Sequence, residues 1–229
     1  YFYGEDSVES RYSKTAQLNK LIRQHLERRE YDSVSYLIST NEELIEHAVG
    51  EDKLFFEWVT GLLYAYRDGD NDKALNYLIA LEKKTKNGEL RIEIIDSIGN
   101  QYLRKEEFDL AEDYYHRGFD MFSEWMSHEK KAKLLLNYSV CLARQGKYSD
   151  CLSKVFQGLD LVVAENTLFL LGDFLYYKGY CLEKLDQKVD ALEAYKKAWT
   201  IFDIQQNEKF SVAMQLTIDR LEKELVEVS

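Results

Sequence analysis

The chain has 229 residues, of which 45% are hydrophobic and 31% charged, so it can bury a substantial core and gives no composition break between globular domains. Its formal net charge of −11 argues against direct binding of nucleic acid or of an anionic lipid surface. The sequence has no apolar run long enough for a membrane helix and no leader pattern, and its three cysteines lack framework spacing, so we expect a cytoplasmic protein.

Every element of the chain is predicted to be a helix. Proline is absent, and apolar residues recur at three- and four-residue steps nearly throughout. One signature returns five times: a helical residue, a second and usually small residue twelve places later, and a large apolar residue four places after that. The first members are spaced 40, 37, 40 and 40 residues apart, which indicates a solenoid of helix pairs. The paired positions are Ile22 and Val34, Leu62 and Ala74, Gly99 and Ala111, Ser139 and Cys151, and Gly179 and Ala191.

The signatures divide the chain into five predicted repeats, each a pair of antiparallel helices, within a single domain. Their approximate bounds are 12–47, 52–86, 89–126, 129–166 and 168–203. The two paired positions of each repeat are here called its slots. The first repeat has the large residues Ile22 and Val34 in its slots, and the second has Trp58 four positions before its first slot. Later repeats combine small slots with a large follower, as in Gly179 and Tyr195. This order resembles the tetratricopeptide pattern W-x2-L-G-x2-Y followed by A-x3-F.

A last helix is predicted over residues 207–227. Its apolar stripe consists of Phe210, Met214, Ile218, Leu221 and Leu225. Such a helix covers the last repeat of an open solenoid, although the same stripe could instead be a dimer surface. The period exceeds the tetratricopeptide length of about 34 residues, which leaves HEAT-like units as an alternative. The constant twelve-residue offset favours an all-α tetratricopeptide-repeat right-handed superhelical solenoid of about five helix pairs plus a C-terminal capping helix.

The first helix of each tetratricopeptide pair lines the concave groove, and the groove-facing positions lie six and two residues before the small residue and one and five after it. These steps of four, three and four place the positions on one helix face, here called the stripe. Its basic residues are Lys20, Arg23, Arg67, Arg104, Lys133, Arg144 and Lys184, and its acidic residues are Glu27, Glu93 and Asp173. The stripe is therefore positive within an acidic chain, although cations at helix ends also complement the helix dipole without any ligand.

Two asparagines of the stripe, Asn100 and Asn137, stand mid-helix on neighbouring repeats. Asparagine is a mediocre helix-interior residue, because its side chain competes for backbone hydrogen bonds. A carboxamide has both a donor and an acceptor, so it can hold the N–H and C=O of one peptide unit in an extended ligand. The alternative is a hydrogen bond between helices. Tyr177 and Tyr180 lie on the same stripe and could flank an apolar side chain of a bound peptide.

Much of the chain from Trp58 onward resembles the tetratricopeptide region of the RRNPP peptide-pheromone receptors of Gram-positive bacteria, especially the PlcR-type transcriptional regulators. The resemblance rests on the segments DSIGNQYLRKEEFDLAEDYY, LLLNYSVCLARQGKYSDCLSK and LGDFLYYKGYCLEKLDQKVDALEAYKKAWTIFDI. It implies that Asn100 and Asn137 bind the backbone of a short signalling peptide. Asp173 stands at another polar contact of that family, with a different residue type. Carboxylates of the peptide would meet Arg23, Arg67, Arg104 or Lys133.

The resemblance further implies a quorum-sensing regulator that acts as a homodimer. Its DNA contacts would come only from an N-terminal helix-turn-helix domain, which we expect to be missing from this chain. Two other functions stay open. One is a scaffold or adaptor that binds the tail of a partner protein, and the other is a Rap-like regulator of a response pathway. The four histidines are scattered and no phosphate-binding or nucleophile motif occurs, so no enzyme, metal site or cofactor is predicted.

Overall fold

A computed structural model describes residues 8–86, 88–123 and 126–227, and within these ranges all regular structure is helical. The helices are α1 Val8–Glu27, α2 Tyr31–Thr40, α3 Glu42–Glu46, α4 Gly50–Tyr66, α5 Asn71–Lys84, α6 Glu89–Arg104, α7 Phe108–Asp120, α8 His128–Arg144, α9 Tyr148–Ala164, α10 Leu171–Lys184, α11 Lys188–Ile204 and α12 Glu208–Glu227. None of these helices is both long and apolar enough to cross a membrane.

The helices follow one another in five pairs, α1/α2, α4/α5, α6/α7, α8/α9 and α10/α11, and α12 comes last. This order confirms the predicted all-α fold of tetratricopeptide-like helix pairs with a C-terminal capping helix. The short helix α3, between the first two pairs, was not predicted. The chain forms two compact units, residues 1–101 and 102–229, and the boundary falls within α6.

The repeated signature marks the positions where helices approach most closely. All ten paired positions are buried. At Gly179 an added Cβ would lie 2.7 Å from Cδ1 of Tyr195, the large follower in the same repeat. Real Cβ atoms do not tolerate such a distance, so the first slot must be small where the follower is an aromatic ring. The sequence period therefore reflects complementary volumes in neighbouring helices.

The second repeat departs from the predicted register by one residue. Gly61, and not Leu62, faces the follower Leu78: a Cβ at Gly61 would lie 2.6 Å from the leucine Cδ2. The turn between α4 and α5 has four residues, whereas the turn in each other pair has three. The last stripe position lies five residues after the first signature residue. Counted from Gly61 instead of Leu62, it falls on Tyr66, the last residue of α4, and Arg67 lies beyond the helix.

The three-residue turns share one backbone conformation, and none of them contains proline. Their central residue has a left-handed conformation, with φ of 75° at Gly146 but also 58° at Arg29, 62° at Glu106 and 61° at Asp186. In each turn the next N–H bonds to the carbonyl five residues back, as from Lys147 to Leu142 at 3.0 Å. This is the Schellman arrangement, which satisfies the last carbonyls of the helix.

Glu112 of α7 joins its helix to α8 and to the start of α9. Its carboxylate accepts hydrogen bonds from Tyr138 Oη at 2.8 Å, Lys147 Nζ at 2.8 Å and Gln145 Nε2 at 3.3 Å. Burial raises the pKa of Glu112, but the hydrogen bonds from Lys147, Tyr138 and Gln145 outweigh it and leave the pKa below its ordinary value. The ionised form therefore stabilises the second unit.

Acidification is expected to destabilise the protein partly through Glu112. Because the folded-state pKa is lowered, its contribution is present above the unfolded-state pKa of about 4.3 and is lost as the pH falls through the folded-state value. We expect Glu112→Gln to lose less unfolding free energy than the wild type between about pH 6 and pH 3, measured by urea denaturation. Asp113→Asn, at the adjacent exposed position, is the control and should follow the wild type. An unchanged pH dependence in Glu112→Gln would contradict this assignment.

Helix α12 closes the second unit. Met214, Ile218 and Leu221 are buried in one cluster with Tyr195 and Phe202 of α11. Ion pairs fix the helix as well: Arg220 Nη2 lies 2.8 Å from Glu183 Oε1 of α10, and Lys188 Nζ of α11 lies 3.0 Å from Glu224 Oε2. The apolar stripe predicted on this helix thus packs within the chain.

Candidate functional site

In the first unit, the stripe of α1 borders an open cavity of about 460 Å³. The lining residues are Ala16, Asn19, Lys20, Arg23, Gln24, Glu27 and Asp52, which include all four predicted stripe residues of the first repeat. Asn19 Nδ2 of α1 donates a hydrogen bond to Asp52 Oδ1 of α4 at 2.6 Å. The cavity presents both signs of charge and side-chain amides, a lining suited to the polar groups of a peptide.

Arg23 and Glu93, two stripe residues from the first and third repeats, meet in an ion pair. Nη1 lies 2.7 Å from Oε1 and Nη2 lies 3.2 Å from Oε2, so the contact is bidentate. The guanidinium carbon also lies 4.7 Å from the ring centroid of Phe55 and 5.8 Å from that of Trp58. Arg23 is thus oriented to bind a planar carboxylate, and in this structure Glu93 supplies it.

The other stripe residues near the first unit have different surroundings. Asn100, partly buried on α6, donates from Nδ2 to Asp96 Oδ2 of the same helix at 3.3 Å. Arg67, at the C-cap of α4, lies 3.3 Å from Asp32 and 3.5 Å from Asp68. The structure therefore gives Arg67 two acidic neighbours on the surface. Arg104 is the exposed last residue of α6, where its charge complements the helix dipole.

In the second unit, α8 and α10 carry the remaining predicted residues. Lys133 Nζ lies 5.4 Å from the ring centroid of Phe169, in the turn before α10. Asn137 is partly buried one turn further along α8. Asp173 stands in the first turn of α10, where a carboxylate is stabilised by the positive end of the helix dipole.

Tyr177 and Tyr180 belong to a larger tyrosine cluster on α10. The ring centroid of Tyr177 lies 5.0 Å from that of Tyr176 and 6.4 Å from that of Tyr180. Tyr148, the first residue of α9, approaches Tyr180 to 6.1 Å. Burial raises the pKa of Tyr176, Tyr177 and Tyr180, so their hydroxyls stay neutral donors at physiological pH. The cluster can accept an apolar side chain against its rings and bond a polar group at its hydroxyls.

Three of the five second helices begin with an aromatic residue that was not among the predicted site residues. Tyr31 stacks on Tyr66 with ring centroids 5.1 Å apart, Phe108 lies under the Arg144 guanidinium at 5.5 Å, and Tyr148 contacts Tyr180. Each stands three residues before the second position of the repeated signature and reaches the first helix of the next repeat. An aromatic residue at that spacing in three repeats was the available signal.

Residues 16–223 match the family model described as the RNPP family C-terminal domain. The fold is similar to that of PlcR from Bacillus thuringiensis in its apo form, with a TM-score of 0.82 and 21% identity over 92% of this chain and 80% of that chain. PlcR in complex with the peptide PapR7 and DNA gives a TM-score of 0.80 at 21% identity, covering 88% of this chain and 74% of that chain.

A Rap protein complexed with competence and sporulation factor has a TM-score of 0.72 at 13% identity, covering 98% of this chain and 63% of that chain. None of the curated proteins matches the sequence. At these identities the structural likeness shows the fold alone, whereas the family model spans most of the sequence.

Proposed function

Because the chain belongs to the RNPP family and spans its C-terminal domain, we propose that it is the regulatory domain of a bacterial transcriptional regulator and binds a short signalling peptide. The family match over residues 16–223 is the observation that carries the proposal. PlcR, a protein of the same fold, has been seen in complex with a peptide and DNA, which supports it. The activity proposed is binding rather than catalysis.

In this proposal the predicted residues keep separate roles. Asn100 and Asn137 hold the peptide backbone through their carboxamides. Arg23, Arg104 and Lys133 meet carboxylates of the peptide, and Arg67 adds positive charge from beyond the end of α4. Tyr177 and Tyr180 take an apolar side chain, with Asp173 at the first turn of the same helix. The cavity along α1 and the tyrosine cluster on α10 support these roles.

The regulatory part of the proposal places the chain in a cytoplasmic quorum-sensing system. DNA is contacted only through a helix-turn-helix domain outside these residues, and the active species is a homodimer. A Rap-like regulator is the second candidate, because a Rap protein bound to a peptide factor shares the fold over 98% of this chain. The coding sequence upstream separates the two: a helix-turn-helix domain supports the first, and a helical bundle supports the second.

Peptide binding is tested first by mass spectrometry of small molecules retained by the protein when it is purified from its native host. A synthetic peptide of the identified sequence is then titrated into the chain by calorimetry. We expect Asn137→Ala to weaken its affinity on the order of ten- to a hundredfold, because the peptide loses a satisfied polar partner in a partly buried site.

The matched control is Asn76→Ala, which removes an exposed asparagine from the second helix α5 and should leave the affinity unchanged. Circular dichroism checks that both variants keep their fold. Unchanged affinity in both Asn100→Ala and Asn137→Ala would contradict the assignment of the backbone-binding residues. Recovery of a stable protein partner, with no peptide, would favour an adaptor.

A further inference from the structure

Two of the three cysteines of the chain lie against each other in the second unit. Cys151 occupies the second slot of the fourth repeat, on α9, and Cys181 stands on α10. Both side chains are completely buried, and both are free thiols. The proposed function gives neither of them a role. Thiols are nucleophilic groups, so the position of one relative to the other determines which reactions the pair can undergo.

Contacts on either side of the two thiols fix how α9 lies on α10. At the start of α9, the ring centroid of Tyr148 lies 6.1 Å from that of Tyr180, near the end of α10. Further along α9, a Cβ at Gly158 would overlap the ring of Phe174, at the start of α10. The two helices are therefore antiparallel, and Cys151, three residues after Tyr148, lies opposite the last two turns of α10.

The two thiols are within hydrogen-bonding distance in this register. The S–H of Cys151 donates to Sγ of Cys181. This hydrogen bond raises the pKa of Cys151, and burial adds to the rise. It lowers the pKa of Cys181, although burial opposes that shift. Leu152 and Leu182, the residues that follow the two cysteines, belong to one packed group of core side chains. Cys181 is thus the thiol of the pair that ionises more readily.

We propose that Cys151 and Cys181 form a site of reversible oxidation, at which a peroxide converts the two thiols into one disulfide bond between α9 and α10. The thiolate of Cys181 attacks hydrogen peroxide and keeps one oxygen as a sulfenic acid. The O–O bond breaks, and the other oxygen leaves as hydroxide, which takes up the proton that Cys181 released. Sγ of Cys151 then attacks the sulfenic sulfur, and its proton leaves with the hydroxyl group as a second water. In sum, the two thiols lose two electrons and two protons, and the peroxide becomes two water molecules.

Burial controls when this reaction can occur. Because both side chains are inaccessible, a peroxide reaches them only when α9 and α10 separate locally. The oxidation is therefore slower than that of an exposed thiol. Once formed, the disulfide bond prevents the same separation and closes the loop of residues 151–181, which restricts the unfolded chain. A dithiol reductant reverses the step by thiol–disulfide exchange.

Cys141 provides an internal comparison. It stands 40 residues before Cys181, at the equivalent position of the preceding repeat, and it is also completely buried. Its sulfur accepts a hydrogen bond from Gln145 Nε2 at 3.4 Å instead of one from a thiol. Burial raises its pKa. If contact between two thiols determines the reaction, Cys141 should stay reduced while the pair is oxidised.

The pair lies on the helix that carries the tyrosine cluster. Tyr177 stands one turn before Cys181, and Tyr180 directly precedes it. The disulfide bond would therefore fix α10 where it presents these rings. The inference goes beyond the proposed function and needs no bound peptide, so calorimetry with the peptide and thiol chemistry can fail independently of each other.

Mass spectrometry of the full chain after treatment with hydrogen peroxide tests the site. We expect the folded protein to lose the mass of two hydrogen atoms, and its digest to contain a disulfide-linked pair of peptides with Cys151 and Cys181. Alkylation after denaturation should label Cys141 alone. Dithiothreitol should restore all three thiols.

Cys151→Ala is the matched variant, because alanine occupies the same slot in the second, third and fifth repeats. Peroxide should raise the urea midpoint of the wild type by about 1 M, since the new bond constrains the unfolded chain. Cys141→Ala should show the same rise, whereas the midpoint of Cys151→Ala should not rise. Circular dichroism verifies that both variants keep their fold before oxidation.

Three outcomes would overturn the proposal. The first is a folded protein whose Cys151 and Cys181 stay reduced throughout the peroxide treatment. The second is oxidation of Cys141 as fast as that of the pair, because contact between thiols would then not determine the reaction. The third is a disulfide bond that joins two chains instead of the two helices of one chain.

Discussion

Phe174→Ala is expected to lower the free energy of unfolding by about 3–5 kcal/mol. The ring is completely buried at the start of α10 and lies against Gly158 of α9. A Cβ at Gly158 would overlap ring atoms Cε1 and Cζ, so only a residue without a side chain leaves room for this ring. Alanine at position 174 would leave a cavity between two helices that have no side chain at Gly158 to fill it.

Phe156→Ala is the matched control, because Phe156 lies on α9 and is 45% exposed. Its ring contacts the Lys178 ammonium at 5.3 Å, so its removal should cost less than about 1 kcal/mol. Both variants are compared by urea denaturation followed by circular dichroism. Equal losses in the two variants would show that the contact of Phe174 with Gly158 does not determine the packing of α9 on α10.

The helix pairs could be predicted because their packing leaves a repeated mark in the sequence. A small residue in the first helix faces a large residue sixteen positions later where the two helices of a pair approach closely, as at Gly179 and Tyr195. Side-chain volume is a property of each residue, so this rule can be found without coordinates. In the first repeat, where Ile22 and Val34 are large, the twelve-residue offset and the period located the buried positions instead.

In the second repeat, sequence spacing alone does not identify which residue of the first helix faces the second helix. Leu62 and Ala74 have the twelve-residue offset, yet Gly61 is the residue that faces Leu78. The extra turn residue changes the register, and the turn depends on backbone details: Gly69 has φ of 73°, and the Asp70 carboxylate caps α5 by accepting from the Lys73 N–H at 3.0 Å. Turns of three and of four residues can both join two antiparallel helices, and the apolar pattern of the helices does not distinguish between them.

The candidate site was predictable as a helix face but not as a set of contacts. Counting from the small residue placed Arg23 and Glu93 on the same kind of face, and the structure brings them together. The pairing itself depends on how α1, α4 and α6 lie relative to one another and on the rotamers of two long side chains. Neither follows from the period. The same limit applies to Tyr148, whose contact with Tyr180 depends on the packing of neighbouring repeats.

Trp58→Ala is expected to cost about 3–5 kcal/mol of unfolding free energy in the first unit. Trp58 is buried on α4, and its Nε1 donates to Ser97 Oγ of α6 at 2.9 Å. Ser97 in turn donates to the Glu93 carbonyl at 2.6 Å, in the residue that pairs with Arg23. The indole thus combines core volume with a polar link to the helix that carries Glu93.

Trp58→Phe separates these two contributions. Phenylalanine keeps much of the volume and removes the indole N–H, so its cost should be smaller, about 1–3 kcal/mol. The alanine and phenylalanine variants and the pair Trp58→Phe/Ser97→Ala are measured by urea denaturation. Because Trp58→Phe and Ser97→Ala remove the same hydrogen bond, the double variant should cost less than the sum of the singles. Additive costs would mean that the indole stabilises the unit by volume alone, and the link from Trp58 to the Arg23 and Glu93 pair would have to be abandoned.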